Sequence, residues 1–376
     1  MSRQHSSQDR QTHPMERANI LGAALLLLLA QIPETAAAAS NKHKLLKLDS
    51  VSYNQAVTGA KRPFTISNHA IPLIITNNCP DVLWPGIATQ AGEAPETNGF
   101  QLGPGQSRNL TVGPTWNGRV WGRTNCTVGG DTATCVTGDC NGKLNCVYGG
   151  AAPATLAEFN LAGGVAGQQT FYDISLVDGY NLPMGIVYHP AANTSFIPPN
   201  LVNPMCIATA GFLSAPSQTG LAYTNATYPM PYQATLTNQD LATWCPWDLQ
   251  VFTQQAPADG VYEYPDGGVG RPVFDPCMSA CAHTQSPQDC CTGDFDDPHV
   301  CGPSTYSKYA KTVCPDAYSY AFDDQTSTFI IPKGGGWEVV FCPAGRSTNI
   351  MARFSKEVGG LASGTIAQGF WGEWWC

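Results

Sequence analysis

Charged residues and long apolar runs are both scarce in this sequence. Asp, Glu, Lys and Arg make up only 12% of the 376 residues, whereas helical proteins are rich in Ala, Leu, Glu and Lys. Short runs of Thr, Val, Tyr and Phe are instead broken by 38 glycines and 29 prolines, a pattern that predicts strands and turns. After residue 40 no stretch approaches eighteen consecutive apolar residues, so we expect no membrane-spanning helix in the mature chain.

Positive charge is particularly rare between Ile71 and Gly345. This region contains 8 lysines and arginines against 22 aspartates and glutamates, a net charge of −14. So acidic a region repels phosphate backbones and anionic lipids, which argues against nucleic acid and membranes as partners. A neutral polysaccharide is compatible with it. Residues 40–70 are by contrast basic, and we interpret them as a linker or pro-segment.

The N-terminus has the three parts of a signal peptide. Arg17 precedes an apolar run from Ile20 to Ala30, and small residues follow from Ala36 to Ser40, which is the order of such signals. The apolar run is much shorter than the roughly twenty residues needed to span a bilayer. A cleaved signal over residues 1–39 is therefore favoured over a signal anchor. We expect a secreted protein, located in the extracellular space or the cell wall.

The fifteen cysteines include no CxxC pair, which argues against a structural zinc site. In a secreted chain they indicate a disulfide framework. Cys290 and Cys291 are adjacent, and a bridge between neighbours requires a strained backbone, so we expect each to pair elsewhere. Spacing alone leaves many connectivities open.

Motifs of several other functional classes are missing. The seven histidines are scattered and give no Ser-His-Asp arrangement, and no phosphate-binding glycine loop follows a predicted strand. The acidic loop after Cys291 supplies too few oxygens for calcium, so we interpret it as solvated. We therefore expect no metal and no cofactor.

Seven short motifs are distributed between residues 76 and 320. They are TNNC at 76–79, VWGRTNC at 120–126, TGDC at 137–140, TLAEF at 155–159, FYDISLVDGYNLPM at 171–184, CGPSTYS at 301–307 and CPDAYSY at 314–320. In order and spacing they resemble the thaumatin-like protein family, the pathogenesis-related group 5 type. The resemblance covers residues 71–345, about three quarters of the chain.

The resemblance implies a mainly β fold, the thaumatin-like flattened β-sandwich with a disulfide-rich loop subdomain. We place the thaumatin-like domain at residues 71–345, with its sandwich core at 71–205 and 315–345 and the subdomain at 206–314. A C-terminal tail would follow at 346–376. Long insertions separate Cys206 from Cys245 and Cys245 from Cys277, and their Pro, Tyr, Thr and Gly content indicates surface loops.

Seven disulfides are also implied by the resemblance. The pairs are Cys79–Cys342, Cys126–Cys135, Cys140–Cys146, Cys206–Cys314, Cys245–Cys277, Cys281–Cys290 and Cys291–Cys301. An eighth bridge of the family is missing at both of its positions. Cys376 has no counterpart in the family, and we expect it to stay outside the framework.

An acidic cleft of one Arg, one Glu and three Asp is implied as well. The matching residues are Arg123, Glu158, Asp173, Asp178 and one of Asp323 and Asp324, with Asp323 the better fit. In this interpretation partial burial keeps Glu158 protonated as general acid, and Asp173 acts as nucleophile or base. Arg123 holds one carboxylate ionised, while Asp178 and Asp323 contact sugar hydroxyls.

The function implied by the resemblance is action on β-1,3-glucan. It would be hydrolysis of the endo-β-1,3-glucanase type in the acidic cleft, during cell-wall remodelling or antifungal defence. The alternative is non-catalytic binding of β-1,3-glucan or another neutral cell-wall polysaccharide; a further one is an interaction role, such as inhibition of a foreign enzyme. We expect a monomer, and sequons predict glycosylation at Asn109, Asn193 and Asn225.

Overall fold

The computed structural model describes residues 70–191, 197–214, 228–252 and 276–364. The predicted signal peptide and linker, parts of both insertions, Asn193, Asn225 and Cys376 lie outside these residues. Asn109 is described and exposed. In the described part of the chain, no helix has the length and apolar character needed to cross a membrane.

β-strands make up most of the regular secondary structure of the described chain. Their bounds are β1 Ile71–Asn77, β2 Trp84–Ala91, β3 Ser107–Val112, β4 Asn117–Arg123, β5 Thr127–Gly129, β6 Thr132–Thr134, β7 Leu156–Gly163, β8 Gln169–Ser175, β9 Met184–His189, β10 Met205–Cys206, β11 Phe329–Pro332 and β12 Gly336–Phe341. Sheet I has the strand order β10-β9-β12-β1-β3, sheet II the order β11-β8-β7-β4-β2, and β5 pairs with β6. The predicted mainly β fold is confirmed.

The core lies between the inner faces of the two five-stranded sheets. Because successive side chains of a strand point to opposite faces, Phe159 of β7 and Tyr172 of β8 reach inward while their neighbours reach outward. The ring of Trp337 on β12 lies 5.4 Å from that of Phe159 and 4.5 Å from that of Tyr172, centroid to centroid. These buried aromatics orient β7 and β8, so Glu158 and Asp173 face outward from sheet II.

The described residues include seven short α-helices, of which α1–α4 belong to the disulfide-rich region. Their bounds are α1 Asn238–Thr243, α2 Ala280–Thr284, α3 Pro287–Cys290, α4 Thr305–Val313, α5 Asp324–Ser327, α6 Ile350–Arg353 and α7 Ser355–Ala362. Each of α1–α4 begins after a Thr or Ser whose hydroxyl accepts a hydrogen bond from a backbone amide of the first turn. Such caps stabilise helices that are too short to persist alone.

Fourteen cysteines form seven disulfides, with the same pairing that the family resemblance implies. Cys79 follows β1 and Cys342 follows β12, which are parallel neighbours in sheet I. Their bridge joins residues 263 positions apart in the sequence. It therefore ties the first strand of the described fold to the last.

The segment from 346 onward is not a tail as far as it is described. Arg346, Ile350 and Leu361 are buried, with 3% or less of their surfaces exposed. The carboxylate of Asp316 accepts hydrogen bonds from the backbone amides of Ile350 and Met351 at 2.7 and 2.9 Å. The predicted boundary at residue 345 is therefore wrong, because α6 and α7 pack on the sandwich.

Candidate functional site

Three charged side chains form a row across the outer face of sheet II. Glu158 on β7 is the register partner of Arg119 on β4 on one side and of Asp173 on β8 on the other. The row follows from the strand register, which the buried aromatics of β7 and β8 specify. A slip by one residue would move both carboxylates into the core, which the cost of burying charge forbids.

Arg119 and Glu158 form a partly buried ion pair. Arg119 Nε lies 3.5 Å from Glu158 Oε1, and the side chains are 22% and 10% exposed. The other oxygen, Oε2, is buried with no hydrogen-bond partner among the described residues. Burial raises the pKa of Glu158, the positive charge of Arg119 opposes that shift, and the negative charge of Asp178 adds to it.

Asp173 lies in a less favourable environment for a negative charge. Its Oδ1 is buried and has no hydrogen-bond partner in the described part of the chain. Burial raises the pKa of Asp173 well above its usual range, and the charges of Glu158 and Asp324 raise it further. Arg119 opposes this shift, as it does for Glu158. Because Arg119 contacts Glu158 directly, a negative charge is more stable on Glu158 than on Asp173.

Asp178 and Asp324 complete the acidic cluster. Asp178 follows β8, and its charge is near enough to raise the pKa of Glu158. Asp324, the first residue of α5, accepts a hydrogen bond of 2.7 Å from the hydroxyl of Tyr318. We use the name acidic cluster for Glu158, Asp173, Asp178 and Asp324, with Arg119 as its cation.

Asp323 is not the fourth carboxylate, contrary to the sequence-based expectation. Its Oδ2 accepts hydrogen bonds from the amide and hydroxyl of Ser319 at 3.0 and 2.8 Å and lies 3.1 Å from Lys311 Nζ. The hydroxyl of Thr326 donates to Oδ1 at 2.5 Å. These groups hold the carboxylate at the start of α5, whereas the next residue, Asp324, is near enough to Asp173 to raise its pKa.

Arg123 does not belong to the cluster either, so its predicted role is wrong. It is fully buried and donates to the carbonyl oxygens of Trp84, Lys143 and Leu144 at 2.7, 2.7 and 2.8 Å. Burial lowers the pKa of Arg123 to about 10, which leaves it charged at neutral pH. Arg123 shares the outer face of β4 with Arg119, but it lies beyond the last register pair of β4 with β7.

Two tyrosines that the sequence did not single out are neighbours of residues in or next to the cluster. Tyr148 is 70% exposed, and the residue after it, Gly149, lies close to Arg119. Tyr320 is half-buried, and its pKa is raised by burial and by the charges of Asp323 and Asp324. Tyr320 ends the CPDAYSY motif, which is the one signal that could have indicated it.

The chemistry open to the cluster follows from its side chains. Over the four described ranges, no group of three or more His, Cys, Asp or Glu is arranged to hold a metal ion. A buried carboxyl pair with raised pKa values, an arginine and tyrosines can protonate a glycosidic oxygen and contact sugar rings.

Comparison with known proteins identifies the family. The pattern of the Thaumatin family matches residues 77–343. The chain belongs to this family. Relatives include pathogenesis-related protein 5 of Arabidopsis thaliana, 38% identical over 277 residues, which are 73% of this chain and 91% of the relative. Pathogenesis-related thaumatin-like protein 3.5 of Cryptomeria japonica is 36% identical over 273 residues, 72% and 89% of the two chains.

One thaumatin-family relative carries the name of an enzyme. It is a glucan endo-1,3-beta-glucosidase of Prunus avium, 36% identical over 280 residues, which are 73% of this chain and 91% of the relative. That name describes the cherry protein. The fold, the seven disulfides and the family of the present chain do not depend on it.

Proposed function

We propose that this thaumatin-family protein hydrolyses β-1,3-glucan at the acidic cluster. The observation that carries the proposal is the pair of facing carboxyl groups, Glu158 and Asp173, whose pKa values are both raised by burial. Glycoside hydrolysis needs one protonated and one ionised carboxyl group at the scissile bond. The name of the Prunus avium relative supports the choice of substrate.

In the proposed reaction Asp173 is the general acid and Glu158 the nucleophile. Asp173 gives its proton to the glycosidic oxygen as the bond from that oxygen to the anomeric carbon breaks, and Glu158 forms an ester with that carbon. Asp173 then takes a proton from the water that attacks the anomeric carbon and releases Glu158. Arg119 keeps Glu158 ionised before the attack.

The strand register favours retention of configuration. Directly opposed residues of antiparallel strands have Cβ atoms about 4.5–5.5 Å apart. Retaining glycosidases place their carboxyl groups about 5–5.5 Å apart, whereas inverting ones leave about 6.5–9.5 Å for a water molecule. The Glu158–Asp173 register pair is compatible with the shorter spacing.

The remaining groups of the site would bind the substrate. Asp178 and Asp324 offer acceptors for sugar hydroxyls, and Tyr148 and Tyr320 offer ring surfaces for stacking. The acidic charge of the region suits a neutral glucan. Secretion to a cell wall, for remodelling or for defence against fungi, is the setting we infer from the N-terminal signal pattern and from relatives that are named pathogenesis-related.

A second candidate function is binding of β-1,3-glucan without hydrolysis. It is favoured by the burial of Glu158 Oε2 and Asp173 Oδ1, because an acid that is closed to solvent must open before it reaches a glycosidic oxygen. In this case the cluster would serve as a polar binding surface only.

The two functions are separated by measuring two quantities on the same protein. One is release of reducing ends from soluble β-1,3-glucan, and the other is retention on insoluble β-1,3-glucan. Glu158→Gln is compared with Glu96→Gln, the same substitution at an exposed glutamate outside the cluster. We expect both proteins to be retained, and Glu158→Gln to release reducing ends at least about 100-fold more slowly.

The other outcomes are equally informative. Retention of the wild type without any release would establish the binding function and reject hydrolysis. Absence of both retention and release would reject both functions. Equal hydrolysis by the two variants would remove the acidic cluster from the reaction.

A further inference from the structure

A pocket lies in the disulfide-rich region, between α1 with its preceding loop and α4. Its volume is about 370 Å³, within the range of small-molecule sites. Leu236, Trp244 and Val313 form its floor, and each is at most 7% exposed. No residue that lines this pocket belongs to the acidic cluster, so a ligand here would be bound independently of the reaction.

The floor of the pocket offers apolar surface. The indole Nε1 of Trp244 donates to the carbonyl oxygen of Ala208 at 2.9 Å, so its polar atom is satisfied within the protein. The ring lies edge-on to Tyr180, with centroids 5.7 Å apart. A ligand on this floor therefore needs a face of C–H groups rather than a polar one.

The rim of the pocket presents hydrogen-bond acceptors. The hydroxyl of Thr312 donates to the carbonyl oxygen of Lys308, one helical turn earlier, at 3.0 Å, so its oxygen is available as an acceptor. The carboxylate of Asp240 accepts from the amide and hydroxyl of Thr237 at 2.7 Å, both on Oδ2. A ligand must bring donors of its own, and phosphates or carboxylates are repelled by Asp240.

The pocket is held in shape by covalent and polar contacts on both sides. Trp244 precedes Cys245 and Val313 precedes Cys314, and both cysteines are in disulfides, with Cys277 and Cys206 respectively. The guanidinium of buried Arg346 donates to carbonyl oxygens of the loop before α1, including that of Leu236. Pre-organisation of this kind reduces the entropy lost on binding.

We propose that this pocket binds a neutral saccharide. A pyranose ring has an apolar C–H face for the floor and hydroxyl donors for the rim, and the half-exposed ring of Tyr309 stands at the rim for stacking. That the sugar is glucose of β-1,3-glucan rests on the proposed function. A glucan chain would then contact the protein at two separate sites, the acidic cluster and this pocket.

Hydrogen–deuterium exchange of the full secreted chain tests the proposal, because it reports on the two sites separately. The probe is the β-1,3-linked trisaccharide of glucose at millimolar concentration. We expect it to slow exchange in peptides that cover α1 and α4. Thr312→Arg, which fills the pocket from an exposed helix position, should abolish this protection, and Tyr309→Ala should weaken the apparent affinity at least tenfold.

The matched control is Lys308→Ala on the same helix, since Lys308 is exposed and does not line the pocket. In this variant the trisaccharide should slow exchange in α1 and α4 as much as in the wild type. Far-UV circular dichroism with thermal melting establishes that each variant is folded. If the trisaccharide slows exchange only in β7 and β8, the pocket does not bind it, and the proposal of binding at the acidic cluster is kept. Protection of α1 and α4 alone would support the pocket and count against the cluster.

A cationic ligand is the competing chemistry for an acceptor-rich rim. Exchange is therefore repeated with ethanolamine, which brings donors but has no pyranose face. Protection of α1 and α4 by ethanolamine and not by the trisaccharide would overturn the saccharide assignment. Protection that persists in Thr312→Arg would show that the trisaccharide binds elsewhere, and would also overturn it.

Discussion

At the scale of single residues, the sequence motifs located Glu158, Asp173 and Asp178, but they did not indicate Arg119 and favoured Asp323 over Asp324. Arg119 and Arg123 are four positions apart on β4, so alternation places both on the outer face of sheet II. Only the pairing of β4 with β7 decides which one meets Glu158. Asp323 and Asp324 are adjacent in the sequence, but at the start of α5 their side chains make different contacts. Such choices depend on three-dimensional register, which spacing along the chain does not contain.

The raised pKa of Asp173 predicts a pH-dependent stability. Because its pKa in the folded protein lies above the unfolded value of about 3.9, the folded state binds more protons in between. The free energy of unfolding therefore falls as the pH rises from about 4 through the folded pKa. The variant Asp173→Asn has no carboxyl group to titrate at this position. Its free energy of unfolding, measured with urea at several pH values, should therefore increase relative to that of the wild type as the pH rises. Parallel curves for the two proteins would contradict the assignment.

The two arginines of β4 should respond differently to substitution. Arg119→Gln removes the cation beside Glu158, so hydrolysis should fall. Its loss of stability should be the smaller of the two, since Arg119 is partly exposed and Glu158 can take up a proton. Arg123→Gln leaves several buried carbonyl oxygens without donors, each worth about 1–3 kcal/mol. It should lower the free energy of unfolding by several kcal/mol. A larger loss of stability for Arg119→Gln than for Arg123→Gln would contradict the placement of both.

At the scale of elements, the strands were easier to foresee than the last helices. The apolar run of β1 is buried along nearly its whole length, and its lack of alternation is typical of a strand buried on both faces. Helices α6 and α7 are short, and α7 contains Gly359 and Gly360, which disfavour helix. Their formation depends on packing of Ile350 and Leu361 against the sandwich and on the hydrogen bonds to Asp316, and no local sequence pattern reports these contacts.

The packing of α6 can be tested by one truncation in the core. Ile350 is fully buried, so Ile350→Ala should lower the free energy of unfolding by about 2–5 kcal/mol. Lys356→Ala on α7 is the control, because Lys356 is exposed and such changes stay within about 0.5 kcal/mol. Equal unfolding midpoints for the two variants would contradict the packing of residues 346–364 on the sandwich.

At the scale of the whole molecule, the seven disulfides are expected to stabilise the fold to different extents. Chain-entropy arguments make a bridge more stabilising when it closes a longer loop. Cys79–Cys342 spans 263 residues and Cys126–Cys135 spans 9. The same arguments give a difference of about 3 kcal/mol between them. The pairing could be foreseen because the family resemblance carries it position by position; cysteine spacing alone could not supply it.

This difference predicts the outcome of removing each bridge by paired Cys→Ser substitution. Loss of Cys79–Cys342 should lower the free energy of unfolding by about 3 kcal/mol more than loss of Cys126–Cys135, measured by urea unfolding without reductant. An equal or larger effect of the short bridge would contradict the view that loop length decides how strongly each bridge stabilises this fold.

The assignment of Asp173 as general acid is tested most directly by the dependence of hydrolysis on the leaving group. A sugar alcohol must be protonated as it leaves, whereas 2,4-dinitrophenolate leaves without a proton. Asp173→Asn should therefore lower kcat/KM for β-1,3-glucan about 10²–10⁴-fold and largely spare kcat/KM for the dinitrophenyl glycoside of the same sugar, because kcat/KM reports on cleavage of the glycosidic bond and not on the later attack of water. Glu158→Gln should lower both. Wild-type rates for Asp173→Asn on β-1,3-glucan, or equal losses on the two substrates, would contradict the account.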